Sequence, residues 1–305
     1  MRYIITGGSG FIGQLLIPNL PKDSEIFVLT RGESKEIGSV KYVTWDARTR
    51  SGWSDLITED TIILNLAGHN ISKGRWTKKT KDKIISSRVQ AGKACVDAIA
   101  KSGVTPYCFF QASAVGYYGW HADEILDEES KGTGADFLSQ VCMQWEESTS
   151  SLETMGVRRI VGRIGVVFHP KHGAFPLLVL PIKLFVGGPV GTGNQWISWI
   201  HYQDLIRSIL FVINNKNTHG VFNLTSPCPV INKKLGHEIA KKLRRPFWFR
   251  TPSFVLKMVL GKKADIVLAG QRVFPQRLVD MGFEFEFPTI EKCLDDLLGR
   301  NKVND

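Results

Sequence analysis

Short runs of consecutive apolar residues, separated by stretches of helical period, set the pattern of the first half of the chain. The β-like runs are Arg2–Thr6, Glu25–Thr30, Val40–Trp45, Thr61–Ala67, Tyr107–Ser113, Arg159–Phe168 and Val221–Thr225. Between them, Lys78–Lys101 repeats apolar residues at Ile84, Ile85, Val89, Val96 and Ile99, the period of a helix with one buried face. Strands alternating with helices are joined by right-handed crossovers into a parallel sheet with helices on both faces. The pattern therefore predicts an α/β fold with a doubly wound parallel sheet. Pro18 falls inside the first helical stretch, where its missing N–H predicts a kink. After Phe168 the alternation breaks. Residues 169–197 are rich in Gly and Pro, and residues 227–305 read as mixed helix and short strand. Ligands of doubly wound sheets sit at the carboxyl ends of the strands, so this half predicts a substrate-binding or lid region. No linker-like stretch separates the two parts, which are expected to pack as one unit.

The 305 residues suffice for a large core, with the composition of an ordinary globular chain. Five cysteines (Cys95, Cys108, Cys142, Cys228, Cys293) are scattered without C-x-x-C spacing and are odd in number. That argues for a reducing compartment and against a disulfide framework or a zinc site. The chain opens directly on a strand-like run, so no cleavable signal peptide is expected. The most apolar stretch, Ala174–Val186, contains Pro176, Pro181 and Lys183 and is too short and broken to span a bilayer. A cytoplasmic location is the expectation, with neither a membrane nor nucleic acid as partner.

Charge changes this picture in one place. Residues 1–160 hold 19 Lys and Arg against 19 Asp and Glu, whereas residues 161–305 hold 20 against 10, so the second half carries the whole net charge of +10. Ten of those cations lie between Lys233 and Lys263, opposed only by Glu238. Such a run suits an anionic substrate, nucleic acid or a membrane surface. A solvated helix face beside an anionic cofactor pocket is the simpler reading, since no nucleic-acid motif accompanies it.

Arg2–Thr6 runs straight into Gly7-Gly8-Ser9-Gly10-Phe11-Ile12-Gly13. Gly8, Gly10 and Gly13 fit G-x-G-x-x-G, and Gly7 adds an overlapping reading. A strand, a glycine turn and a helix start form the opening unit of a Rossmann-type dinucleotide-binding domain. The glycines provide a tight turn, close backbone approach to a pyrophosphate and close helix–strand packing. The helix N-terminus adds free N–H groups and positive dipole. Gly7, Gly10, Phe11, Ile12 and Gly13 are therefore the expected phosphate loop. The Rossmann-type domain is expected over residues 1–168, with 198–226 returning to it. Residues 169–197 and 227–305 make the smaller substrate-binding or lid region.

The end of the second strand bears on the choice between NAD and NADP. An acid there bonds the ribose 2′-OH, whereas a nearby Arg suits a 2′-phosphate. Here the strand ends Leu29-Thr30-Arg31, with no acid at its last position. A guanidinium pairs with phosphate in a bidentate way, and Thr30 adds a hydroxyl, so NADP is the expected cofactor. Asp46, after the third strand, is a candidate acceptor for the adenine amino group or a surface carboxylate. The fourth strand ends Asn65-Leu66-Ala67-Gly68, whose small residues let the backbone lie against sugars and diphosphate.

TGGSGFIG, NLAG and SAVGYYG together resemble an extended short-chain dehydrogenase/reductase. AGHNISKGRWT, SSR at Ser86–Arg88, RIGVVF, GGPVGTGNQWISWIHYQD at Gly187–Asp204, FNLTSPCPV and GQRVFPQRL are more specific. They resemble its atypical "epimerase family protein" branch, also labelled nucleoside-diphosphate-sugar epimerase-like or cell-division-inhibitor-like. The likeness runs over essentially the whole chain. It implies NADP(H) binding, with contacts from Thr30, Arg31, Leu66, Ala67, Lys83, Arg88 and Val167.

Short-chain reductases use a Tyr with a Lys four residues later as the proton-transfer pair. None of the six tyrosines here has Lys at that spacing, and the expected position reads Leu138-Ser139-Gln140-Val141-Cys142. Ser113, at the end of the fifth β-like run, matches the superfamily's catalytic Ser/Thr. Tyr117 and Tyr118 are candidate acid/base groups or packed aromatics. His201 is a candidate proton donor or acceptor, with a structural histidine bonded to Asp204 as the alternative. Ser113 lacks the G-x-S-x-G context of a nucleophile elbow. Two readings stay open: an NADP-dependent oxidoreductase or sugar-nucleotide-type epimerase acting on a small molecule, and a non-catalytic NADP(H)-binding sensor or regulatory module.

Overall fold

Strand β1 (Arg2–Thr6) is the centre of the larger sheet, and four of its five residues are buried. Around it lie β2 (Glu25–Thr30), β3 (Lys35–Ile37), β4 (Val40–Thr44), β5 (Thr61–Asn65), β6 (Cys108–Ala114), β8 (Arg159–Ile164) and β12 (Gly220–Leu224). The sheet order is β12-β8-β6-β5-β1-β2-β4-β3. β1 pairs in parallel with β2 and β5, β2 with β4, and β5 with β6, while β3 pairs antiparallel with β4 at the edge. Order reverses at β1, which makes the switch point where a doubly wound sheet opens a crevice. The computed structural model describes all residues except 73, 250, 251, 253–257, 259, 260, 262–267 and 300–305.

The chain divides into two compact units. The first comprises Met1–Tyr117, Gln140–Arg163 and Ile209–Phe222, and the second Tyr118–Ser139, Ile164–Ser208 and Asn223–Asp305. This division differs from the expected one by placing 118–139, 164–168, 198–208 and 223–226 in the second unit. In the first unit, α1 (Phe11–Leu16), α2 (Lys78–Ser102), α3 (Phe137–Glu147, from residue 140) and α4 (Ser151–Thr154) accompany the sheet. α2 begins where Thr77 Oγ1 accepts from Thr80 N and ends on Gly103, whose φ of 66° provides the left-handed cap. Its small residues Ala91, Ala94 and Ala98 pack against Ile4, Phe27, Ile63 and Phe109 of the sheet in one core.

Two local expectations need correction, and one unassigned stretch gains an element. Pro18 does not kink the first helix; α1 stops at Leu16 and Ile17–Asn19 is a 3₁₀ turn with Pro18 near its start, where no intrahelical N–H is needed. The single run Arg159–Phe168 is two strands. A Cβ on Gly165 would lie 2.5 Å from Ser198 O, and past this point β9 (Val166–Phe168) pairs with β11 (Trp199–His201) instead. Part of the Gly- and Pro-rich stretch is a helix, α5 (Phe175–Lys183), with Pro176 in its first turn.

The second unit adds β7 (Ile125–Leu126), β10 (Trp196–Ile197), β13 (Val230–Ile231) and β14 (Arg272–Val273) as short pairs, β10 with β13 and β7 with β14. Its core gathers Phe168, Phe175, Ile182, Trp199, Leu235 and Leu294 from β9, α5, β11, α7 (Asn232–Leu243) and α9 (Ile290–Gly299). α6 (Tyr202–Asn214) starts in this unit, α8 spans Gln276–Asp280, and among the described residues no helix is long and apolar enough to cross a membrane. In the first turn of α6 the buried carboxylate of Asp204 accepts from Glu286 N (2.9 Å), Phe287 N (2.8 Å) and Arg207 (2.9 Å). Asp204→Ala would strip two backbone donors of their acceptor and is expected to cost about 2–3 kcal/mol. Thermal unfolding measures this, and an unchanged Tm would refute it.

Candidate functional site

The turn after β1 is shaped by contacts that exclude side chains. Gly7 has φ 67°, and a Cβ on it would lie 2.7 Å from Leu66 O; one on Gly8 would lie 2.8 Å from Val28 Cγ1; one on Gly13 would lie 2.5 Å from Gly8 Cα. These three glycines wedge the turn between the ends of β2 and β5. Gly10 differs. Its N–H donates to Gly7 O at 2.9 Å, and the only atom near a Cβ there would be that same oxygen, at 3.0 Å. Gly10 faces a cleft of about 390 Å³ with Gly7 and Ser9 on one wall, Thr30 and Arg31 on a second, and Leu66, Ala67 and Gly68 on a third. Phe11, Ile12 and Gly13 are not among its lining residues. Because α1 has only six residues, a macrodipole adds less here than the motif implies, and what the cleft meets is the loop at Gly7, Ser9 and Gly10.

A buried polar chain holds the third wall. Thr6 Oγ1 donates to Asn65 Oδ1 (2.7 Å) and accepts from Ala67 N (3.2 Å), and Asn65 Nδ2 donates to Gln111 Oε1 (3.0 Å). The ends of β1, β5 and β6 are thereby locked together, which explains a buried Asn ahead of Leu66-Ala67-Gly68.

Beyond Arg31 the cleft continues into a second cavity of about 770 Å³, lined among others by Asp46, Arg48, His69, Lys83 and Ser86. Arg31 and Lys83 are exposed and form no hydrogen bond or ion pair with a described residue. Their charges are unneutralised, and together they make a cationic mouth. Asp46 lines this cavity and also holds a turn. Its oxygens accept from Arg48 N (2.8 Å), Thr49 N (2.8 Å) and Thr49 Oγ1 (3.0 Å), and these bonds hold the carboxyl below its usual range. It caps its own turn, in which Ala47 takes φ 61° and lines both cavities. A left-handed alanine is strained, a feature common at ligand-contacting turns. Arg48 and Ala47 escaped the sequence reading, for they follow no motif and meet the cleft only through this turn, whereas Ser87, of the SSR block on α2, lines both cavities.

Arg88 lies behind the third wall. Its Nη1 donates to His69 O (3.1 Å) and Ile84 O (3.0 Å), its guanidinium stacks 4.8 Å from the Trp145 ring, and burial lowers its pKa. A Cβ on Gly68 would lie 3.0 Å from Arg88 Cζ, so the glycine at this position makes room for the cation.

The four catalytic candidates are all engaged in the fold. Ser113 Oγ donates to Glu146 Oε1 at 2.6 Å, and Arg163 clamps the same carboxylate through Nε (3.0 Å) and Nη2 (2.9 Å). Arg163 in turn stacks 3.3 Å from the centre of the Tyr117 ring. Cys142, at the place of the missing Lys, is a buried thiol pushed up to about 12, chiefly by desolvation. These groups form one cluster of the first unit. Tyr118, His201 and Val167 belong to the second. The Tyr118 hydroxyl donates to Asn223 Oδ1 (2.7 Å). His201 is fully buried; its Nδ1 accepts from Gln203 N (3.3 Å), which leaves Nε2 to donate to Asp296 (3.2 Å). The partner is therefore Asp296 and not Asp204, whose carboxylate faces the 286–287 backbone. Val167 pairs with Ile200.

A model of the "NAD dependent epimerase/dehydratase family" matches residues 3–225, and one for a domain of unknown function matches residues 251–297. "Epimerase family protein SAR0825" of Staphylococcus aureus (strain MRSA252) is 35% identical over 302 residues, or 98% of this chain and 99% of that relative. The human epimerase family protein SDR39U1 (isoform 2), crystallised with NADPH, superimposes with a TM-score of 0.86 at 29% identity, covering 98% of this chain and 99% of its own. The nucleoside-diphosphate sugar epimerase of Corynebacterium glutamicum superimposes with a TM-score of 0.78 at 30% identity; all of this chain matches 59% of that one.

Proposed function

The chain belongs to the NAD dependent epimerase/dehydratase family, and we propose that it is an NADP(H)-binding member, acting as an oxidoreductase or sugar-nucleotide-type epimerase on a small molecule. The observation that carries this reading is the cleft at the sheet's switch point, where the open face of Gly10 meets the unpaired Arg31 and Lys83. A dinucleotide with an extra phosphate fits those features. The loop Gly7–Gly10 lets a diphosphate approach the backbone. Arg31 and Lys83, with Arg48 beside them, supply the positive charge a 2′-phosphate requires. NADP(H), when bound, supplies hydride transfer. SDR39U1, of similar sequence throughout, was crystallised with NADPH.

Within the first unit, the chemistry rests on Ser113 with Glu146 behind it. Because the Ser113 proton points into Glu146, Oγ offers lone pairs and suits a substrate hydroxyl better than a carbonyl. A proton taken up at Ser113 Oγ can be relayed as the Ser113 proton passes to Glu146 Oε1. Arg163 already occupies both oxygens of that carboxylate through Nε and Nη2, so the relay has an engaged acceptor and turnover is expected to be slow. The same locked proton favours a second reading, a module that binds NADP(H) without turnover. A screen of alcohols, carbonyl compounds and sugar nucleotides by absorbance at 340 nm separates the two, and Ser113→Ala should reduce any turnover without weakening NADP binding.

Arg31→Ala tests the cofactor assignment. NADP should bind about 1–3 kcal/mol more weakly, about 5- to 150-fold in Kd, while NAD affinity stays the same. Titration calorimetry with both nucleotides measures the difference; an equal loss for NAD would remove Arg31 from the 2′-phosphate.

A further inference from the structure

Helix α5 is apolar on every side except at Lys183. Phe175, Val179 and Ile182 enter the core of the second unit, yet Leu177, Leu180 and Leu184 on the opposite side are 69%, 50% and 61% exposed. A helix apolar all round belongs inside a core or against hydrocarbon. The exposed surface continues past its end. Phe185 is 54% exposed, and Trp248 and Phe249 are 76% and 63% exposed. Both of their N–H groups donate to Gly187 O at 3.1 Å, which seats them beside the end of α5. A Cβ on Gly188 would lie 2.1 Å from Phe249 O, so this close approach depends on glycine. Apolar patches of this kind on a protein surface mark an interaction site.

The rim of the patch is cationic. Arg245 stacks 4.4 Å over the Phe185 ring, and Lys183 closes α5. Lys241, in the last turn of α7, and Arg244, its cap, come from the basic run that leads into Trp248. Lys242 of that run pairs with Asp295, but Lys183, Lys241 and Arg244 form no ion pair with a described residue. Lys183 and Arg245 thus border exposed aromatic and leucine side chains, while Arg250, Lys257, Lys262 and Lys263 of the basic run lie outside the described residues.

We propose that this face of the second unit docks on the surface of an anionic lipid bilayer, with Leu180, Leu184, Trp248 and Phe249 entering the interface and the cations facing the headgroups. Exposed Trp, Phe and Leu beside Lys and Arg is the composition of interfacial docking elements. Charge selects the occupant. Protein interfaces are depleted in Lys, and a second copy packed on this same face would bring like-charged rims together. An anionic bilayer instead gains attraction from each cation.

Cosedimentation of the full chain with phosphatidylglycerol/phosphatidylcholine vesicles, and with phosphatidylcholine alone, tests this. Binding is expected on the anionic vesicles, at least about tenfold weaker on the neutral ones, and reduced by salt. Lys183→Glu and Lys241→Glu should each weaken it by about fivefold or more. Leu184→Ser with Trp248→Ser should abolish it. All four positions are exposed, and circular dichroism with thermal unfolding verifies that each variant is folded. Brominated lipid should quench tryptophan fluorescence in the wild type, and less in Trp248→Phe. No partition, equal partition on both vesicle types, or quenching unchanged in Trp248→Phe overturns the proposal. So does sedimentation velocity revealing a wild-type dimer that Trp248→Ser dissociates, an outcome that assigns the face to a second copy.

Discussion

Gly10→Val is expected to abolish NADP(H) binding in a protein that still folds. The neighbouring glycines define why. At Gly7, Gly8 and Gly13 an added Cβ would meet Leu66 O, Val28 or Gly8 backbone at 2.5–2.8 Å, so a side chain there attacks the packing of the turn itself. At Gly10 the added atom would meet only Gly7 O, at 3.0 Å, and the branched remainder would stand in the cleft. A valine thus leaves the core nearly untouched and fills the space a diphosphate needs. Affinity should fall more than about 100-fold, close to 3 kcal/mol. Gly13→Val, by contrast, should cost about 1–3 kcal/mol or more in stability through overpacking. Calorimetric titration and thermal unfolding of the two variants separate these effects. A folded Gly10→Val protein with wild-type affinity would move the phosphate site off this loop.

Glu146→Ala should produce the largest loss of stability. It removes the carboxylate that neutralises Arg163, which is 3% exposed, and the acceptor of the Ser113 hydroxyl. Truncating one partner of a buried ion pair typically costs about 3–5 kcal/mol, since the remaining charge stays desolvated. Glu146→Gln should cost less, because the amide oxygen can still accept from Ser113 or Arg163. Denaturant unfolding of the three proteins gives the comparison. Were Glu146→Ala as stable as the wild type, the pair would contribute nothing to the fold, and its retention would have to be argued from chemistry alone.

The cleft was legible in the chain because its parts are local. Gly7–Gly13 follows β1 directly, Thr30-Arg31 ends β2, and Leu66-Ala67-Gly68 ends β5; strand ends in a doubly wound sheet converge whatever the details of packing. Lys83 and Arg88 came from resemblance, and α2 carries one to the outer cavity and the other behind Gly68. Ala47 and Arg48 were invisible, since a left-handed turn capped by Asp46 leaves no pattern that distinguishes it from a surface loop.

What periodicity, glycine spacing and strand-end residues determine is the parallel sheet, its order-reversing crevice and the charge at its mouth. These rest on contacts close in sequence. The states of Ser113, His201 and Asp204 rest on partners far away: Glu146 lies 33 residues from Ser113, Asp296 lies 95 from His201, and the backbone of Glu286 lies 82 from Asp204. A hydroxyl becomes a donor or an acceptor, and an imidazole a catalyst or a strut, according to the group that packing brings opposite it. Local sequence carries no record of that group, so only the tertiary structure decides the direction of the Ser113 proton and the burial of His201.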